Sequence, residues 1–133
     1  MKSVFVDTGA WFACFASRDV NHQAARTWLE TNTCPLVTSD YVIDELLTLL
    51  KVRENTLVAL SAGQALLETE LVRIEYLSPE LIAEGWQVFQ RYQDKGWSFT
   101  DCTSKVLIEK LGIGTAFAFD HHFAQFGNLV RVP

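Results

Sequence analysis

Long apolar runs are missing from this sequence, cysteines are few, and basic residues are outnumbered. No stretch approaches the roughly 18 uninterrupted apolar residues that a membrane-spanning helix needs. The first acid, Asp7, falls too early for the apolar core of a signal peptide. The chain is therefore expected to work in the cytoplasm, with no membrane partner. Its three cysteines, Cys14, Cys34 and Cys102, are odd in number, widely separated and without a C-x-x-C pair or a regular spacing to His22, His121 or His122. That argues against a disulfide framework and against a structural zinc site. Eleven Lys and Arg stand against sixteen Asp and Glu, a formal charge of −5. Broad nonspecific nucleic-acid binding is disfavoured, because phosphate contacts draw their affinity from Lys and Arg. An enzyme acting on nucleic acid is still compatible with that charge if several acids are gathered in one metal-binding cleft. Internal repeats, low-complexity tracts and linkers are also lacking. With 49% hydrophobic residues, the 133 residues are expected to form one domain spanning 1–133.

What is present is an alternation of short β-prone runs and helical patterns. "SVFV" (3–6) is apolar on both faces, as in a strand covered on two sides, and ends at Asp7. His22, Ala25, Trp28 and Leu29 follow at helical spacing behind Asp19, the expected N-cap. "PLVTS" reads as a second strand, 39–52 and 55–70 as helices, and "VRIEYL" (72–77) as a third strand. A helix over 80–93, a loop containing Gly96 and a helix from Thr100 or Asp101 come next. "TAFAF" is a fourth strand, "HHFAQF" a helical turn and "LVRV" a fifth strand. Strands separated by helices call for right-handed crossovers, hence an α/β fold with a mostly parallel sheet of about five strands covered on both faces.

In such sheets ligands bind beyond the carboxyl ends of the strands. Asp7 and Asp120 both end predicted strands, and Asp101 begins a helix, where the positive end of the helix dipole favours an anion and Thr100 or Ser98 is placed to cap. In the helix from Ser39, Asp40, Asp44, Thr48 and Lys51 form a polar stripe. Glu45 is instead flanked by Tyr41, Val42, Leu49 and Val52. An acid so flanked must lose hydration, raise its pKa or find a cation. Four carboxylates brought together would repel by roughly 4 kcal/mol per pair at about 4 Å, even at an effective dielectric of 20. Oxygen-only donors favour a hard ion, Mg²⁺ or Mn²⁺, which keeps waters that it can polarise into nucleophiles, and this chemistry suits phosphodiester hydrolysis.

"VFVDTGAW", "DVNHQAA", "VTSDYVIDEL", "GWSFTDCTS" and "AFAFDHHFAQFG", in this order and spacing, resemble the PIN-domain family, especially its VapC-type toxin ribonucleases. The resemblance runs along nearly the whole chain. It implies a three-layer α/β/α sandwich, an acidic metal cleft and Mg²⁺- or Mn²⁺-dependent endonucleolytic hydrolysis of RNA. Asp7, Glu45, Asp101 and Asp120 take the places of the family's four acids. Asp7 and Asp101 are expected to hold the metal, Glu45 to complete its shell or orient the attacking water, and Asp120 to bind through water or hold a second ion. Thr8, Thr100 and Ser104 are candidates to orient these groups. Lys105 and His122 are candidates for a substrate phosphate and Trp97 for stacking a base, against ordinary surface, turn and packing roles. Ala118 and Phe119 stand where relatives often have Thr or Asn, leaving Asp120 without a neighbouring hydroxyl. The resemblance also implies a homodimer and a small antitoxin partner whose tail fills the cleft. Trp11, Phe12 and Phe15 are candidates for that surface or for the core.

Other acidic α/β functions fit poorly. A haloacid-dehalogenase-like phosphatase needs D-x-D, but Gly9 occupies the second position; a receiver domain expects paired acids and a late Lys; a dinucleotide site needs G-x-G-x-x-G. The rival of another class is a PIN-fold binding module, or an RNA-processing protein without a toxin role. An inactive module is expected to have lost an acid, and none of the four is lost.

Overall fold

A computed structural model describes residues 2–133. The chain runs β1 (Val4–Val6), α1 (Thr8–Phe15), α2 (His22–Thr31), β2 (Leu36–Ser39), α3 (Asp40–Arg53), α4 (Thr56–Leu67) and β3 (Arg73–Glu75). It continues through α5 (Pro79–Arg91), α6 (Phe99–Leu111), β4 (Thr115–Phe117), a 3₁₀ helix (His121–Gln125) and β5 (Val130–Val132). All neighbouring strands pair in parallel, in the order β3-β2-β1-β4-β5. The first half of the chain thus steps outward on one side of β1, and α5–α6 carry it back to the other side. Right-handed crossovers place those two sets of helices on opposite faces. β1 and β2 are buried at every position; β1 is apolar throughout, whereas β2 ends in Thr38 and Ser39, whose hydroxyls bond the Val6 carbonyl and the Val42 N–H.

The reversal of strand order falls between β1 and β4, so a crevice opens there beyond the carboxyl ends. Local chemistry sets the helices that border it. Ser39 caps α3 by accepting the Val42 N–H at 3.1 Å, while the Asp40 carboxylate accepts the Leu77 N–H at 3.1 Å, tying the start of α3 to the exit of β3. The ring centroids of Tyr41 in α3 and Phe99 in α6 lie 6.2 Å apart, bringing the two helix starts together.

One local expectation is corrected, and a choice left open by the sequence is decided. Asn21, not Asp19, is the N-cap of α2; the Asp19 carboxylate accepts the Asn21 N–H at 3.0 Å and closes the turn before the helix. The run "TGAWFACF" forms α1, a helix with no polar stripe to announce it because it packs into the interior on most sides. Within it Trp11 is fully buried, with its indole N–H donating to Thr38 Oγ1 at 3.3 Å, and that hydroxyl donating to the Val6 carbonyl at 2.8 Å. Trp11 therefore belongs to the core and offers no outer surface, whereas Phe12 and Phe15 are partly exposed at its edge.

Candidate active site

Asp7 follows β1 and N-caps α1 in an extended conformation. Its N–H donates to the Phe117 carbonyl at 3.1 Å, locking it to the exit of β4 on the far side of the crevice. The side chain is 5% exposed, and burial, reinforced by the negative charges of Asp101 and Glu45, pushes its pKa up to about 8. The backbone N–H groups of Thr8 and Gly9 pull the other way without closing a capping hydrogen bond. Gly9 leaves the carboxylate clear: a Cβ there would stand 3.8 Å from Asp7 Oδ2.

Asp101 is fixed by a reciprocal cap at the start of α6. Its N–H donates to Ser98 Oγ at 3.0 Å, and its Oδ2 accepts the Ser98 N–H at 2.9 Å. Burial raises its pKa; the Ser98 bonds lower it, Asp120 raises it and His122 lowers it. Of the two sequence candidates for the cap, Ser98 serves and Thr100 does not; Thr100 instead offers its carbonyl to the Thr103 hydroxyl at 2.9 Å.

Asp120 caps the 3₁₀ helix, its Oδ1 accepting the His122 N–H at 2.9 Å. A backbone group thus does the holding that Ala118 and Phe119 cannot. The His122 ring turns inward rather than out toward a substrate: Nδ1 lies 3.2 Å from Asp120 Oδ2 and 3.5 Å from Asp101 Oδ2. His121 is the outer histidine, 81% exposed and 3.8 Å from Asp120 Oδ1. Glu45 is half-buried on α3, one helical turn beyond Tyr41, and near enough to raise Asp7. The four acids thus form a chain of coupled charges, Glu45 to Asp7 to Asp101 to Asp120, across four elements.

The remaining candidates divide. Thr8 and Ser104 are buried, and neither hydroxyl finds a hydrogen-bond partner among the described residues. Lys105 does not reach free into the crevice; its side chain is 15% exposed and its ammonium pairs with Glu109 one turn along α6. Trp97 is corrected from a stacking surface to a packing residue. It is 6% exposed, donates to Gln125 Oε1 at 2.9 Å, and packs against Tyr92 and Phe126 with centroids 4.8 and 5.0 Å away. The inward His122 ring had no clear signal in the sequence, since two adjacent histidines on one turn point in different directions and only packing says which one faces the acids.

This donor set fits a hard divalent cation. Burying Asp7 beside Asp101 and Glu45 is unfavourable for the charged form, and a cation among them removes that cost. Unpartnered hydroxyls at Thr8 and Ser104 are suited to hold carboxylates or metal-bound waters. Buried Cys14 and Cys102 take no part: burial pushes their thiols up to about 12 and about 11.

The PIN domain family model matches residues 4–129. The 23S rRNA-specific endonuclease VapC20 of Mycobacterium tuberculosis is 33% identical over 124 residues, covering 93% of this chain and 94% of that protein. A VapC ribonuclease of Archaeoglobus fulgidus is 28% identical over 127 residues, covering 92% of this chain and 80% of that protein. The crystal structure of Mycobacterium tuberculosis VapC20, a sarcin-ricin loop cleaving toxin, aligns with a TM-score of 0.91 and 31% identity, over 98% of this chain and 99% of that one. Matched in sequence and in backbone along nearly its whole length, the chain belongs to the PIN-domain family.

Proposed function

We propose that this protein is a Mg²⁺- or Mn²⁺-dependent endoribonuclease, the toxin of a type II toxin–antitoxin pair, with residues 1–133 acting as one nuclease domain. One observation supports the proposal: buried Asp7 is pushed up to about 8 by burial and by the charges of Asp101 and Glu45, and Asp101 is raised in turn by burial and by Asp120. Such a cluster is unfavourable in a protein with no cation to bind. The likeness to VapC20 supports RNA as the substrate.

When bound, the divalent ion supplies a polarised water as nucleophile and offsets charge building on the phosphate. Asp7 and Asp101 hold it from the two sides of the crevice, Asp101 with its orientation fixed by Ser98. Glu45 faces Asp7 from α3 and orients the attacking water or completes the shell. Asp120 binds through water or holds a second ion. Thr8 and Ser104 steady the carboxylates, with Thr100 outside them. The protein works in the cytoplasm as a homodimer, and a small antitoxin fills the cleft until released.

The test is cleavage of total cellular RNA, and separately of ribosomal RNA, with Mn²⁺, Mg²⁺ or EDTA, using wild type beside Asp7→Asn and Asp101→Asn. Metal-dependent cleavage by wild type, lost in both variants, is expected. Equal cleavage by all three proteins would sink the mechanism, and cleavage by none would favour a binding module. Co-purification with the product of an adjacent gene, and a dimer in size-exclusion chromatography, test the partner and the assembly.

A further inference from the structure

His122 enters the cleft in a way that an oxygen-only metal site does not explain. Its Nδ1 atom is buried and has no hydrogen-bond partner among the described residues, although it lies 3.2 Å from Asp120 Oδ2 and 3.5 Å from Asp101 Oδ2. The nitrogen is close enough to both oxygens for hydrogen bonding to one of them, yet its orientation satisfies neither. An imidazole nitrogen that faces two carboxylate oxygens at these distances and hydrogen-bonds neither is what a shared cation leaves.

The separations agree with that. In an octahedral shell with bonds of about 2.1 Å, neighbouring donors stand about 3 Å apart. In a tetrahedral shell of similar bonds they stand about 3.3 Å apart. Both observed distances are close to such an edge. Local structure also presets the pair. Asp120 Oδ1 is occupied by the His122 N–H at 2.9 Å, which leaves Oδ2 free to face the ring, and the tight 3₁₀ turn holds carboxylate and imidazole together. His121 also stands close, its ring centroid 4.8 Å from that of His122, but it is 81% exposed and its Nδ1 lies 3.8 Å from Asp120 Oδ1, the oxygen already taken by the His122 N–H.

We propose that Asp120 holds its ion directly through Oδ2, with Asp101 Oδ2 and His122 Nδ1 as further ligands, so that the Asp120 side of the cleft is a mixed nitrogen and oxygen site. The inference rests on the reading of the crevice as a metal site and goes beyond it by adding a non-carboxylate ligand. Mg²⁺ is held almost entirely through oxygen, whereas imidazole suits first-row transition ions, so His122 shifts the site's preference away from Mg²⁺, and Mn²⁺ serves as its paramagnetic probe.

Pulsed electron paramagnetic resonance of the Mn²⁺-loaded protein tests this without any turnover. Wild type is expected to show modulation from one directly bound ¹⁴N, converted to the ¹⁵N pattern when the protein is grown on ¹⁵N-histidine. His122→Gln is expected to lose the modulation and weaken Mn²⁺ binding roughly tenfold, with a smaller loss for Mg²⁺. His121→Gln is expected to keep the signal. Bound Mn²⁺ without nitrogen modulation in wild type overturns the inference while leaving the carboxylate site standing, as does modulation that persists in His122→Gln. Mn²⁺ binding unchanged by Asp101→Asn overturns both together. Isotope labelling of wild type shows that the nitrogen is a histidine's, and a signal kept in His121→Gln assigns it to His122 even if His122→Gln does not fold.

Discussion

Asp7 illustrates how one residue places function against stability. Its folded-state pKa of about 8 lies far above the 3.8 of an ordinary aspartate, because burial and the Asp101 charge disfavour the anion. The folded protein therefore retains a proton that the unfolded chain has lost, and stability falls as pH rises between those two values. Well below pH 3.8 both states are protonated and Asp7 contributes no pH dependence. A tenfold difference in proton affinity between the two states corresponds to about 1.4 kcal/mol, so Asp7→Asn is expected to stabilise the metal-free protein at pH 8 by on the order of 2–4 kcal/mol. Urea denaturation from pH 5 to 8 in EDTA checks it; wild type should weaken along the series and the variant much less. The same substitution should abolish metal-dependent RNA cleavage, and a variant both less stable and fully active would contradict the role given to Asp7.

At the scale of elements, α6 carries the most. It begins on the Ser98–Asp101 capping box, buries Cys102, Thr103, Ser104, Val106, Leu107 and Ile108, and ends at Gly112 with a left-handed φ of 66°. Ser98→Ala removes the hydroxyl that holds the Asp101 N–H, so about 1 kcal/mol of stability should be lost. Because Asp101 is also a proposed ligand, Mn²⁺ affinity should fall along with it, and calorimetric titration can separate that from the melting shift. The packing of α5 on α6 depends on Gly85, where an added Cβ would stand 2.8 Å from Thr103 Cγ2. Thr103 is buried and β-branched, so it has little room to turn away. Gly85→Ala is expected to cost about 1–3 kcal/mol by overpacking, measurable by denaturant unfolding; an unchanged midpoint would mean that the two helices slide apart freely.

For the whole molecule, the parallel sheet determines where charge can gather. Strand order β3-β2-β1-β4-β5 makes one reversal, and Asp7, Asp101 and Asp120 all reach it although they are up to 113 residues apart in sequence. A cation held there, as proposed, would bind the folded protein and find no such site in the unfolded chain. Mn²⁺ at about 100 times its dissociation constant should therefore add about 2.7 kcal/mol, raising Tm on the order of 10 °C. Differential scanning fluorimetry with Mn²⁺ and then excess EDTA measures it. The shift should be larger at pH 8 than at pH 5, since metal binding and protons compete for Asp7. A shift independent of pH would place the ion elsewhere.

The alternation of strand and helix was legible in the chain because the strands are short runs rich in β-branched and aromatic residues and most helices show a period near 3.6. "SVFV", "PLVTS" and "VRIEYL" announced β1, β2 and β3 in this way, and the acids at strand and helix ends pointed to the crevice. The bounds of α1 were not legible, since a helix buried on most sides has no polar face to reveal its period. Nor could spacing decide between Ser98 and Thr100 as the cap of α6, or between core and surface for Trp11 and Trp97. Those outcomes depend on which neighbours fill the space around a side chain, and the neighbours come from distant parts of the sequence. The sequence determined which residues can carry charge and where the chain can turn. Only the tertiary structure decided that the His122 ring, rather than His121, faces Asp101 and Asp120, because the direction of a ring on a tight turn is set by what packs against it.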